Sequence, residues 1–158
     1  MNHTAAAVFA AAFTALYVAH SVGDHWVQSS CQAADKGLPG RKGRLACTRH
    51  VVSLTLTKGI VLALVVVLLQ LPVTALGLVL GLGIDAGTHW WADRRTTLRR
   101  LAHKCNKTEF YNLGAAGPHA PVAHSGKPAA HLGTGAYALD QAFHHFWLLI
   151  GALLIATV

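Results

Sequence analysis

Acidic residues are scarce in this chain: 6 Asp and Glu stand against 13 Lys and Arg, for a formal net charge of +7. Charged residues of any kind make up only 12% of the 158, while 53% are hydrophobic. That is too little polar surface to coat a soluble domain and points to a small polytopic membrane protein. The segments Val51–Leu71 and Val73–Ile84 lack a repeating polar face, which weighs against a soluble helical core. Cysteine is sparse too. Cys31, Cys47 and Cys105 form no CxxC pair, so zinc-ribbon spacing is absent and idle thiols are expected. There is no G-x-S-x-G, no P-loop and no nucleic-acid motif, and Gly133-Thr-Gly135 is too short to cradle a phosphate. No Lys or Arg precedes the first apolar run. A signal peptide would carry a basic stretch there, so a retained helix is expected.

Four apolar segments remain, at about 4–28, 50–71, 73–93 and 136–158. Each approaches the roughly 20 residues that a spanning helix needs. The expected fold is therefore all-α, a single membrane domain of four transmembrane helices in a bundle. Loops at about 29–49 and 94–135 join them. The first loop holds Lys36, Arg41, Lys42, Arg44 and Arg49; the second holds Arg94, Arg95, Arg99, Arg100, Lys104, Lys107 and Lys127. Only Lys58 lies elsewhere. The positive-inside rule makes both basic loops cytoplasmic, with both termini outside, in a multi-pass protein of the cytoplasmic (inner) membrane.

The few acids stand in unusual places. His20 precedes Asp24 by four residues, Asp85 precedes His89, His89 precedes Asp93, and Asp140 precedes His144. A spacing of four puts both side chains on one helix face. An aspartate at a bilayer centre costs roughly 2.5–3.5 kcal/mol on insertion scales, so such groups usually face a bundle interior and mark chemistry. In this topology all four helices bring polar groups to the same depth, the cytoplasmic half. His50 enters at the first turn of the second helix.

Imidazole with carboxylate suits a divalent transition metal, zinc first, with iron, manganese or nickel behind it. The expected metal set is His20, Asp24, His89, Asp93, Asp140 and His144. His50 and Asp85 come next, with Gln28 and Gln141 as hydrogen-bonding support. The set exceeds one tetrahedral shell, so some carboxylates orient histidines or two metals share them. Asp24, Asp93 and Asp140 are the candidate catalytic acids and bases. A plain set of buried His–Asp hydrogen bonds is the competing account. Asp24 and Asp93 are expected near water at helix ends. His25 and His145 are expected at the interface, and His103, His119, His124 and His131 in solvent.

Further expectations follow. Gly77-x-x-x-Gly81 and Gly83-x-x-x-Gly87 permit close helix contact. Trp26, Trp90, Trp91 and Trp147 form an aromatic belt. Lys58 either pairs with a core aspartate or binds an anion. Arg94, Arg95, Arg99 and Arg100 line a helix continuing out of the membrane and attract anionic lipid or substrate. The stretch 114–135, rich in Gly, Ala, Pro and His, is expected to be a loop over the site. Membrane lipids are the expected partners, and a homo-oligomer is compatible with these features.

His20-x-x-x-Asp24 with Gln28, a His opening the second helix, His89-x-x-x-Asp93 and Asp140-Gln141-x-x-His144 together resemble a family of small bacterial and phage membrane proteins. The stretches 91–95 and 132–141 resemble its actinobacterial versions. The family is defined only as a domain of unknown function. The resemblance implies the four-helix fold and the motif positions, but no activity.

The leading functional expectation is a metal-dependent hydrolase acting on a lipid or membrane-adjacent phosphate. The first alternative is a non-enzymatic phage or mobile-element accessory protein, with a structural metal or a hydrogen-bond cluster. The second is a metal or proton transporter. The outer halves of the helices carry almost no ionisable residue, which leaves a transport path without steps.

Overall fold

The computed structural model describes residues 3–115 and 133–158, and among them every regular element is a helix. Helix α1 spans His3–Val22 and runs into a π-helical turn, Gly23–Val27. A short α2, Ser30–Asp35, precedes the long α3, Gly40–Leu69. Then come α4 (Ala75–Asp93), α5 (Thr96–Lys104), α6 (Thr108–Asn112) and α7 (Gly135–Thr157). The expected loop positions His119, His124, Lys127 and His131 lie outside the described residues, as does most of the stretch 114–135.

Local chemistry explains the boundaries. Thr74 Oγ1 accepts from the Gly77 amide at 2.9 Å and opens α4, and Thr134 Oγ1 accepts from the Tyr137 amide at 3.1 Å and opens α7. Ser29 and Gln32 form a reciprocal capping box at the start of α2. Pro39 stands just before α3, where a missing amide costs nothing. At its far end α3 stops on Gln70, in a left-handed conformation with φ 51°, two residues before Pro72. The second helix thus begins ten residues earlier than its apolar run. Residues 40–49 are helical because the stretch holds no proline and is rich in Arg, Lys, Leu and Ala, which outweigh Gly40 and Gly43, although their charges read as loop. The chain also does not continue straight out of α4. It breaks at Arg94–Arg95, where Arg95 has φ 57°, before α5 begins.

Helices α1, α3, α4 and α7 form a four-sided bundle in which α1 and α4 each touch α3 and α7 and lie diagonally opposite. The closest approach is α4 on α7. A Cβ on Gly81 would lie 2.6 Å from the carbonyl oxygen of Gly151, so only glycine permits this contact. Gly83 and Gly87 face open space and make no such contact. One end of the bundle is packed by Val8, Ala12, Leu16, Leu62, Leu148, Ala152 and Ile155.

The distribution of polarity is inverted relative to a water-soluble protein. Ile60 is 70% exposed and Val67 72%, whereas His20, His50, Lys58, Asp85, His89, Asp93 and His144 are buried. Apolar side chains outside and polar ones inside suit a lipid solvent. Three helical stretches, Thr4–Val27, Gly40–Leu69 and Gly135–Thr157, are long and apolar enough to cross a membrane. Helix α4 is not among them. At 19 residues it gives up much of its C-terminal half to Asp85, Thr88, His89 and Asp93.

Candidate metal centre

Each long helix delivers one or more polar groups to a single place. Helix α1 brings His20, and the π-helical turn after it brings Asp24. The Gln28 amide bonds to Gly23 O at 2.9 Å, closing that wide turn. Such π turns are frequent at functional sites. Gly23 itself is pressed against the side chain of Leu54 on α3, and a Cβ there would collide with it. Helix α3 brings His50, α4 brings His89 and Asp93 one turn apart, and α7 brings Asp140 and His144.

Four atoms stand closest together. His50 Nε2 lies 3.0 Å from Asp24 Oδ1, 3.2 Å from His89 Nε2 and 3.3 Å from Asp93 Oδ2. His89 Nε2 lies 3.3 Å from Asp93 Oδ2 and 3.7 Å from Asp24 Oδ1. An ion with tetrahedral bonds of about 2.0–2.1 Å sets its ligands roughly 3.3–3.4 Å apart. The five separations fall around that length, while the two carboxylates, Asp24 and Asp93, belong to different donor groups. Two groups, Asp24 with His50 and His89, and His89 with Asp93 and His144, each present three donor atoms within reach of one ion.

Hydrogen bonding does not complete this arrangement. A neutral imidazole donates through one nitrogen only, and ionised carboxylates only accept. Two Nε2 atoms can carry at most two protons between them, too few for five short contacts. Among the described residues, Asp24 Oδ1, Asp93 Oδ2 and His144 Nε2 are buried with only ion-pair-range neighbours inside the cluster and no hydrogen bond of regular geometry, and both ring nitrogens of His20 and Nδ1 of His50 and His89 are buried without a hydrogen-bond partner. Buried polar atoms are normally paired, so such a concentration marks a place built for something else. Packing holds the rings: His89 stacks on His144 with centroids 3.9 Å apart and planes at 18°.

The remaining expected residues surround this core. His20 Nε2 lies 3.5 Å from Asp24 Oδ2, on the oxygen turned away from His50. His144 Nε2 lies 3.4 Å from Asp140 Oδ1 and 3.9 Å from Asp93 Oδ1. The Asp140 side chain is 26% exposed, which places it at the rim. Gln141 Nε2 donates to Asp140 Oδ2 at 3.4 Å, and Gln28 Nε2 is buried without a partner among the described residues. His145 packs against Tyr17 with the rings tilted by 45°, and His25 bonds Ser21 O and the Tyr137 hydroxyl.

Three arrangements depart from expectation. His50, ranked behind the others, is central, because α3 starts early and carries it into the bundle interior. Asp85 does not join the core. Its Oδ2 accepts from Lys58 Nζ at 2.6 Å, and both residues are buried. Asp93 does not reach for water, since only 2% of its side chain is exposed. Lys36 Nζ reaches it instead, 2.9 Å from Oδ1. Lys36 was unreadable from sequence: 57 positions separate the partners, and no helical spacing links them. The arginines also divide. Arg94 donates to the carbonyls of Lys36 and Leu38, both at 2.5 Å, and Arg95 donates to Ala33 O at 2.8 Å. These two tie α2 and the α2–α3 connection to the end of α4. Arg99 and Arg100 remain exposed. The cysteines stay free, with Cys47 buried and its Sγ 3.6 Å from Trp90 O.

No family model, no curated protein and no solved structure matches the chain.

Proposed function

We propose that this chain is a multi-pass protein of the cytoplasmic membrane that binds a divalent transition metal, zinc first, between Asp24, His50, His89 and Asp93. All four bundle helices span, both termini lie outside, and the metal end faces the cytoplasm. Membership in the small bacterial and phage family is part of the same proposal. The carrying observation is the convergence of four donor atoms whose contacts two protons cannot satisfy. A mixed imidazole and carboxylate set favours zinc, iron or manganese over calcium or magnesium.

The chemistry we propose is hydrolysis of a lipid or membrane-adjacent phosphate. A metal of this kind brings the pKa of bound water down to about 7 and so supplies a nucleophile. Asp140, at the rim and paired with His144, is placed to take up a proton. Lys36 holds Oδ1 of Asp93, which leaves Oδ2 directed at His50 and His89.

A second reading has its own support. Structural sites close their shell with four protein donors, whereas catalytic sites keep one position open; Asp93, 3.3 Å from both His50 and His89, is the donor that would close the shell of Asp24, His50 and His89. Elemental analysis of the purified protein tests both readings. About one equivalent of metal is expected in the wild type, with loss in Asp24→Ala and His89→Ala. A wild type without metal overturns the proposal and leaves a hydrogen-bonded cluster. If metal is present, turnover of a lipid phosphoester separates the enzyme from the structural site.

A further inference from the structure

We infer that the cleft between α5 and α6 binds the phosphate headgroup of an anionic phospholipid. The inference rests on the membrane orientation proposed above and is independent of the metal.

The cleft, about 740 Å³, lies beside the His/Asp core and not over it. Arg99, Arg100, His103 and Lys104 line it, with Tyr111 across from them and Trp91 at its edge. No carboxylate is among the described lining residues. Helix α5 explains the arrangement. Leu98 and Ala102 are buried toward the bundle, which leaves Arg99, Arg100, His103 and Lys104 on the exposed side. Unlike Arg94 and Arg95, the side chains of these four residues have no hydrogen-bond or ion-pair partner among the described residues. Three permanent cations crowded together without a counter-charge repel one another, and an anion relieves that repulsion.

Position selects the source of the anion. Trp91 belongs to the last turn of α4, is 38% exposed and stacks on Phe143. Tryptophan at the end of a spanning helix sits at headgroup depth. The cleft opens only a few residues farther along the chain, where lipid phosphates are concentrated. Arginine suits the planar, bidentate recognition of phosphate.

The test titrates purified protein with phosphatidylglycerol and, separately, with phosphatidylcholine, counting bound lipid by native mass spectrometry. Phosphatidylglycerol should bind preferentially. Each basic residue near an anionic surface is worth about fivefold, so the double variant Arg99→Ala/Arg100→Ala should weaken that binding about thirtyfold. The double variant Arg41→Ala/Arg44→Ala, which removes equal charge from the exposed start of α3, should not weaken it. Equal affinity for the two lipids, or equal weakening in both variants, overturns the inference. So does binding that inorganic phosphate satisfies as well as the lipid does. Metal content measured on the same samples keeps the two proposals apart: lipid preference in a metal-free protein would sink only the metal.

Discussion

Two buried polar centres lie one helical turn apart in this bundle, and they are built on opposite principles. Lys58 and Asp85 form a closed pair: one cation and one anion at 2.6 Å, each meeting the other's charge. One turn along α4, His50 and His89 meet Asp24 and Asp93 in a group whose acceptors outnumber its protons. Both centres are largely hidden from water, with Asp24 the most exposed member at 8%. Burial therefore does not distinguish structure from function here, whereas completeness does. A pair that satisfies itself has no need of a ligand. A group left with buried oxygens and ring nitrogens unpartnered among the described residues has donor atoms to spare, and two sets of three of them lie close enough together to hold a metal ion.

The sharpest way to break this comparison is to make the closed pair incomplete. Lys58→Met leaves Asp85 as an uncompensated buried charge, and removing one partner of such a pair costs about 3–5 kcal/mol. Unfolding followed in detergent micelles should show that loss. The double variant Lys58→Met/Asp85→Leu should recover most of it, because apolar replacements of similar volume restore a closed interior. A double variant as unstable as the single one would show that the pair does more than neutralise itself.

The complementary experiment makes the open group emptier. A ligand bound only by the folded protein stabilises it by about 2.7 kcal/mol at a hundredfold excess over its Kd. Chelation should lower the wild type's stability by a similar amount and leave the Lys58–Asp85 pair unaffected. His89 belongs to both donor groups, so His89→Ala should abolish the response to chelator. A chelator effect of equal size in His89→Ala would place the ion elsewhere.

The two centres also differ in how far they could be read in advance. Helix periodicity linked His20 to Asp24, His89 to Asp93 and Asp140 to His144, since partners four residues apart share a face. The basic loops gave these pairs a common depth, and the fold brings them together. What stayed hidden lay between helices. Spacing within α3 and α4 does not say that Lys58 faces Asp85 and not the histidines, nor that Lys36 swings back to Asp93. Position along a helix hid the importance of His50. Charged residues at 41, 42, 44 and 49 resemble a loop in composition, yet they form the first turns of α3 and carry His50 inward. The sequence marked four spanning segments, whereas three helices of the fold are long and apolar enough to cross a membrane; α4 falls short because its polar half is the site's own contribution.

The finest contrast lies within the open group, between its centre and its rim. Asp93 is 2% exposed and held by Lys36, His50 and His89, whereas Asp140 is 26% exposed and touches the core only through His144. If the metal is held by the inner four atoms, Asp140 acts on it at one remove, through the orientation of His144. Partners at that distance typically matter by 10- to 100-fold in metal affinity or activity, and one partly open to solvent belongs near the lower end, at about tenfold. Asp140→Asn keeps the shape and the Gln141 contact but removes the charge and the ability to take up a proton. It should therefore bind metal in full stoichiometry with affinity about tenfold weaker, as read by competition with a calibrated chelator. Under the hydrolytic reading the same variant should lose turnover by far more than its loss of affinity, while under the structural reading affinity and stability should fall together. Loss of stoichiometric metal in Asp140→Asn would move the rim into the shell, and the ion would then lie toward His144 rather than between His50 and Asp24.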